Sequence, residues 1–314
     1  MSDKPITVDP ELNTDNPARD DYQSETTSVA SSTYRWLIEN GRRYQTMREN
    51  KYWSPADEQQ FESLEAGHAV AIVMDFDKPN PLFQAPNILD VGTGSGLWAI
   101  DVADMLPETT VRGVDLFPPP AAWVSPNCIL EVDDVLQEWT WTEPFDFIHL
   151  RIMLGSFGVD EWKVVYKKCY DSLKPGGWIE QLELDAHLET DDNSLPQGSL
   201  AATWGDNTFG CAERADRRID TLNTMRASIE QAGFIDIHER DYKWPIGAWA
   251  KEKHFKEAGA LNYNMWSSGI EGWGMWYLTK FGEPSLWSRD QVFTYVGKIR
   301  WELKNPRVHC YQRA

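Results

Sequence analysis

The sequence predicts an α/β fold with a doubly wound parallel sheet, and three observations carry that prediction. Asn87–Asp101, NILDVGTGSGLWAID, runs from β-prone apolar residues through a glycine turn into an amphipathic helix pattern. Strand-like and helix-like segments then alternate to about Leu184, the pattern of a parallel sheet covered on both faces. Asp115, Asp134 and Arg151 fall at or just after the ends of successive strand patterns, where open α/β sheets bind ligands.

Composition narrows what such a sheet could serve. The 314 residues carry a formal charge of −19, which argues against an electrostatic grip on nucleic acid, because phosphate binding needs a basic surface. Apolar and charged fractions of 41% and 25% suit a globular protein with a substantial core. Cys128, Cys169, Cys211 and Cys310 lack metal-ligand spacing and read as free thiols of a reducing compartment. No metal site is expected. No apolar run approaches the roughly 20 residues of a membrane span, and no basic-plus-apolar signal segment opens the chain, so an intracellular protein is expected.

Taken in order, residues 1–30 hold seven acids against two bases and almost no large apolar side chain. They cannot repay the entropy of ordering and are expected to be a disordered acidic tail. Residues 31–83 are expected to form an N-terminal helical lid. Tyr34, Trp36, Leu37 and Ile38 begin a helix that Asn40-Gly41 interrupts, and Arg42-Arg43-Tyr44 lead to Tyr52-Trp53. Ser54 then caps a helix with Pro55 at its first position, and Phe61, Leu64, His68 and Ile72 follow at helical spacing. On one reading this part only braces the sheet edge. On the other it closes over a ligand, with Tyr44, Tyr52 and Trp53 as aromatic walls and an arginine for a carboxylate. His68 reads as a packed helix residue.

Residues 84–243 read as the cofactor-binding core. Ile88, Leu89 and Val91 make the first strand, and Gly92-Thr-Gly94-Ser-Gly96 lets backbone N–H groups approach a polar or anionic ligand closely. Alone, such a turn also fits a nucleotide site or a plain tight turn. Val111–Asp115, the second strand, ends in an acid 19 residues after Gly96, where dinucleotide and adenosyl cofactors want a carboxylate for their ribose hydroxyls. The glycines follow Gly-x-Gly-x-Gly, with Leu97 in the place of a pyrophosphate binder's third glycine, which favours S-adenosylmethionine over a dinucleotide. Cys128–Val132 is the third strand. After it, Asp134 suits the adenine amine and the Val135 N–H a ring nitrogen, although Asp133 could exchange roles with Asp134. Trp139 and Trp141 support this wall or simply pack. Phe145–Leu150 is the fourth strand, with His149 and Arg151 at its end, and Trp162–Leu173 is the next helix. Lys174-Pro-Gly-Gly177 stops that helix before the strand Trp178–Leu184. In this order the segment is similar to the one before the fifth strand of the Rossmann-like class I methyltransferase fold.

Beyond the fifth strand, residues 203–232 read as a long helical stretch and Phe234–Tyr242 as a half-buried sixth strand. Residues 244–314 are expected to be a Trp-rich cap and terminal helix completing the same domain. Trp244, Trp249, Trp266, Trp273 and Trp276 lie among glycines and suit either a cap on the substrate side or a partner interface. As a cap, they are expected to leave at least one outward face for a partner. Ser288 caps a last helix with Val292, Tyr295, Val296 and Ile299 on its apolar side. Either Val308–Gln312 makes a short edge strand or the final strand falls outside the chain, and the weak alternation favours the second.

Several segments match one family, and Trp98, the Asp133-Asp134 pair and Trp244-Pro-Ile-Gly247 make the match specific. They include Asn40-Gly-Arg-Arg-Tyr44, the glycine turn followed by Trp98, Gly113-Val-Asp-Leu116 and Val132-Asp-Asp134 with Trp139. Phe145-Asp-Phe-Ile-His149 with Arg151, Lys174-Pro-Gly-Gly-Trp-Ile-Glu-Gln181 and Trp244-Pro-Ile-Gly247 continue the pattern. On these residues the stretch from about Tyr34 to Tyr311 resembles the fungal LaeA-like methyltransferases. The resemblance implies an S-adenosylmethionine-dependent methyltransferase of regulatory type, found in nucleus or cytoplasm, with a velvet-type regulator or a related methyltransferase as partner. It also implies a cofactor site at Gly92, Gly94, Gly96 and Asp115, with Asp134 near adenine. Tyr44, Asp90, Thr93, Trp98, Leu116, Asp133, Val135 and Arg151 complete the candidate cofactor set.

A sulfonium methyl is already activated, so transfer needs alignment and desolvation and, for an amine or hydroxyl acceptor, a base. His149 is the first candidate, with Glu183 and His187 after it. A protein acceptor is slightly favoured over a small biosynthetic molecule, and a cofactor-binding assembly partner with little turnover is the third reading.

Overall fold

The computed structural model describes residues 36–48, 51–74, 85–121, 123–196 and 198–314. The acidic tail and Tyr34 lie outside these residues. Five parallel strands carry the core: β3 (Asn87–Val91), β4 (Thr110–Asp115), β5 (Cys128–Val132), β6 (Phe145–Arg151) and β7 (Leu173–Leu182), side by side in the order β5-β4-β3-β6-β7. Ile88, Leu89 and Val91 are fully buried, because β3 is central and covered on both faces. Alternation sorts them. Ile88, Val111 and Phe147 pack with α2 (Leu97–Met105), while Leu89, Val91 and Ile148 pack with α3 (Val159–Ser172). Val91 pairs with Val114 and with Leu150, so β3, β4 and β6 end level and the glycine turn opens onto one shared edge.

A second, antiparallel sheet has β10 (Cys310–Arg313) between β8 (Glu189–Thr190) and β9 (Lys243–Pro245). The Asp185 N–H donates to the Arg313 carbonyl at 2.9 Å, which ties this sheet to the chain leaving β7. The final strand is therefore present and central in its sheet, correcting the expectation that it is missing or at an edge. Cys310, Tyr311 and Gln312 are all buried, so the missing alternation reflects burial on both faces. The sixth strand is also displaced: residues 234–242 form no strand, although Tyr242 already exchanges both backbone hydrogen bonds with Ala314, and the strand itself starts at Lys243.

Four further expectations are corrected. Residues 36–45 form a hairpin, β1 (Trp36–Glu39) with β2 (Arg42–Gln45), and not a helix. Asn40 and Gly41, with φ of 53° and 80°, provide the left-handed pair that a two-residue hairpin turn requires. Helix α1 (Glu58–Val73) starts later than Ser54 predicts, because the Asp57 side chain accepts from the Gln60 N–H and is the cap. The stretch 203–232 is two helices, α4 (Trp204–Arg214) and α5 (Thr221–Ala232). The Trp-rich segment is mostly one 29-residue helix, α6 (Lys253–Phe281), packed along α1. The last helix, α7 (Arg289–Leu303), has the expected Ser288 cap, in a box with Gln291.

Candidate cofactor and acceptor site

At the carboxyl edge of the five-stranded sheet, the glycine turn is held from below. The Asp90 carboxylate accepts from Thr93 Oγ1 at 2.6 Å and meets His149 Nδ1 at 2.8 Å. The His149 ring stacks on Trp98, 3.7 Å between centroids. Asp90, His149 and Trp98 thus lock the turn to β3, β6 and α2, and this engagement explains why these residues accompany the glycines. Gly92 has φ 73°, and a Cβ there would stand 2.3 Å from Met153 Sδ. Gly94 has φ 59°, and its N–H donates to Asp115 Oδ2 at 2.8 Å. Both positions require glycine.

Asp115 ends β4, buried, with its other oxygen accepting from the Leu116 N–H at 2.7 Å. Burial pushes its carboxyl up to about 7, against the backbone hydrogen bonds that favour its charge. A buried carboxylate beside a glycine cradle is the donor set that ribose hydroxyls would complete. Asp133 and Asp134 follow β5 along the same wall, Asp133 accepting from the Asp134 N–H at 2.7 Å. Val135 is held from behind, where its carbonyl accepts from Trp139 Nε1 at 2.8 Å. Above this half lie Tyr52, Leu64, Leu116 and the Phe61–Phe117 pair, their ring centroids 5.6 Å apart.

These residues line one continuous cavity with an empty volume of about 1610 Å³, its open mouth included. Beyond the glycine turn its wall becomes aromatic: Trp53, Trp204, Trp266, Trp273 and Tyr277, with Met265 among them. Trp53 stacks on Tyr277 at 5.7 Å, and Trp266 meets Trp273 edge-on at 5.3 Å.

Of the predicted site residues, Asp90, Gly92, Thr93, Gly94, Asp115, Leu116, Asp133, Asp134, Val135, His149 and Arg151 line this cavity. Gly96 and Trp98 support it from behind, Gly96 by closing the turn onto the Thr93 carbonyl. Tyr44, Glu183 and His187 are not in its wall. Tyr44 is packed into the hydrophobic core. Glu183 is fully buried and accepts from the Met153 and Leu154 N–H groups, both at 3.1 Å. His187 bonds Asp185 at 2.8 Å and lies near Asp206 at 3.4 Å. The lid arginines are likewise engaged elsewhere: Arg42 with Asp57, and Arg43 with the Ala56 carbonyl and the Trp36 face. Arg48 reaches the cavity instead, donating to Glu161 at 2.8 Å and standing 3.8 Å from Asp134. Within 244–281, Trp244, Trp266 and Trp276 are buried and Trp249 and Trp273 half-buried. Trp266 and Trp273 line the cavity, as a cap should, and the half-buried Trp249 lies outside its wall.

The sequence places His68 as a packed helix residue. It is buried, lines the cavity and places Nε2 2.8 Å from Asp101 Oδ2. Burial, aided by Arg151, holds its imidazole below the usual value, so it is neutral near pH 7. Helix α6 brings Trp266 and Trp273 to the cavity by lying along α1. Its signal was Gly269 and Gly272: a Cβ at Gly269 would stand 2.3 Å from Ser63 Oγ, and one at Gly272 2.8 Å from Gln60 Oε1. These glycines let α6 lie close against α1.

A parallel sheet, a glycine turn under a buried acid, a second acidic strand end and an adjoining aromatic chamber define a nucleoside-cofactor-dependent transferase. Residues 57–239 match a family described as a methyltransferase domain. Over 307 residues, 96% of this chain and 92% of the relative, the sequence is 32% identical to methyltransferase pytC of Aspergillus terreus. It is 34% identical over 284 residues to the secondary metabolism regulator LAE1 of Cochliobolus heterostrophus, covering 87% of this chain and 91% of the relative. It is 31% identical over 291 residues to the protein-methionine methyltransferase laeA of Emericella nidulans, covering 87% and 73%. The chain belongs to the S-adenosylmethionine-dependent methyltransferases of this fungal LaeA and pytC type, with S-adenosylmethionine as cofactor and S-adenosylhomocysteine as its product form.

Proposed function

We propose that the glycine-turn half of the cavity holds the cofactor and that the aromatic half receives a single apolar acceptor group without a proton to lose, a thioether above all. In this arrangement Asp115 takes the ribose hydroxyls, Asp134 and the Val135 N–H face adenine, and Arg151 faces the amino-acid end. When bound, the cofactor supplies an activated methyl, and the chain's own residues supply alignment and exclusion of water. The observation that carries the acceptor reading is the aromatic chamber joined to the cofactor half. Of the candidate bases, His149 is committed to Asp90 and Trp98, and Glu183 and His187 stand outside the cavity, which suits a nucleophile that needs no base; His68 is the neutral imidazole left in the wall, with its Nε2 on Asp101. A thin, unbranched thioether side chain fits it, and the likeness to a protein-methionine methyltransferase supports the choice. The apolar lining of the chamber also suits, as the second reading, a small apolar biosynthetic molecule.

The test is transfer of tritiated methyl from S-adenosylmethionine to a methionine-containing peptide and to its norleucine counterpart. Label in the first peptide and none in the second is the expected result. Equal labelling, or label only in small apolar nucleophiles offered in parallel, would overturn the thioether assignment. Partnership with a velvet-type regulator or a related methyltransferase, and residence in nucleus or cytoplasm, belong to the same proposal and draw on the family likeness.

A further inference from the structure

Ile152 has φ 52°, a left-handed backbone that a β-branched residue rarely adopts and that persists only where the surroundings over-determine it. It follows the end of β6, and Ile152, Met153 and Leu154 all line the cavity. The structure shows what imposes the strain. The Ile152 N–H donates to the Leu182 carbonyl at 2.8 Å, while the next two N–H groups donate to separate oxygens of one carboxylate, Glu183 Oε1 and Oε2. Gln181 Nε2 donates to the same Oε1 at 2.8 Å, and Tyr166 Oη donates to Gln181 Oε1 at 2.7 Å, setting the orientation of that amide. Glu183 is fully buried. The clamped turn in turn seats Met153 against Gly92 and presents the Leu154 carbonyl to Trp53 Nε1 at 3.3 Å.

We propose that Glu183 is a positioning residue: its carboxylate clamps Ile152–Leu154 in the strained turn that walls the cavity between cofactor and acceptor. This rests on the cofactor and acceptor reading for its purpose, but the clamp itself is geometry. A carboxylate is required because both its oxygens accept N–H bonds; a protonated or amidated group has only one oxygen free to accept in the same way. Burial raises the Glu183 carboxyl to about 7, against the three hydrogen bonds that favour its charge. Tyr166 of α3 is the titratable group packed against it, and it stays neutral. The wall is therefore ordered above neutrality and loosened below it.

Amide hydrogen exchange of the full chain, read at Met153 and Leu154 and corrected for intrinsic rates, tests the clamp. In the parent, protection should fall by about tenfold from pH 8 to pH 6 as carboxylate-accepted bonds are lost. Glu183→Gln should show the low protection at both pH values, with calorimetric affinity for S-adenosylhomocysteine at pH 8 kept within threefold, roughly the loss of one weak contact. Parent-like protection in a folded Glu183→Gln protein would overturn the clamp. Loss of S-adenosylhomocysteine binding in the parent would instead overturn the cofactor reading. Should Glu183→Gln fail to fold, Gln181→Met removes one bond to the charged form, and the midpoint of the parent-type transition must move to higher pH. An unmoved midpoint would equally overturn the proposal.

Discussion

Asp115 carries the sharpest consequence of a single residue's surroundings. Its carboxyl titrates near 7 because burial outweighs the Gly94 and Leu116 N–H bonds. Ribose hydroxyls would add bonds to the charged form and lower that value, so cofactor binding must release a proton near neutrality. Calorimetry of S-adenosylhomocysteine in buffers of different ionisation enthalpy should record up to one proton released at pH 6.5–7, with affinity falling as pH drops. Asp115→Asn keeps the shape and removes the charge. It should weaken binding by about 1–2 kcal/mol, the excess of charge-assisted over neutral bonds, and abolish the proton release. At this scale the sequence was most legible where backbone chemistry constrains the residue type. Gly92, Gly94 and Asp115 could be found because a turn and a strand end leave few alternatives. Glu183 reads as a base because it follows a strand, whereas the structure places it outside the cavity wall with its carboxylate accepting from the Met153 and Leu154 N–H groups. His68 was passed over because helical spacing alone does not say what lies across from the helix.

Among the elements, the segment after the hairpin and the pair α1–α6 supply much of the cavity wall. Arg48 is buried and ties its segment to Glu161, while Arg217 donates to the same Glu161 and to the Lys51 carbonyl at 2.5 Å. Arg48→Leu should speed exchange in residues 45–48 and 51–54 by about tenfold or more, because bonds to buried charged groups are worth roughly 1.5–3 kcal/mol. Unchanged exchange would show that the hairpin and Arg217 hold the segment without Arg48. Gly269→Ala would drive a Cβ to 2.3 Å from Ser63 Oγ, separating α6 from α1. Urea unfolding should show a loss of about 1–3 kcal/mol, the usual cost of overpacking, and a parent-like midpoint would remove the close approach as the reason for this glycine. The parallel strands could be read from their apolar runs, whereas the hairpin could not be separated from a helix by four apolar and aromatic residues. Its clue was Asn40-Gly41, a turn pair taken for a helix interruption. In helix α6 the glycines among the tryptophans let two helices touch.

For the whole molecule, the same buried acids make stability and binding respond to pH in opposite directions. Asp115 and Glu183 both titrate near 7 in the folded protein, above the ordinary carboxyl range of about 4. Between these values the folded state binds more protons than the unfolded one, so stability falls as pH rises from about 4 to 7. His68 acts the other way. Its folded value is held below the usual one, so its contribution is lost as pH falls below about 6.5. The lowered carboxyls of Asp57, Glu161 and Asp185 withdraw their support only further down, below about pH 4. A net charge of −19 adds self-repulsion at the alkaline end. The melting temperature should therefore peak in mildly acidic solution and decline from about pH 5 to pH 7, levelling off above that, where both acids are charged in the folded and the unfolded state alike. The check is calorimetric melting of the parent and of Asp115→Asn/Glu183→Gln across this range. If the two acids dominate, the double variant's curve flattens while the parent's slopes downward. Parallel curves would mean that general surface charge sets the slope, and that the two carboxyls are accommodated in the fold at no cost that depends on their protons.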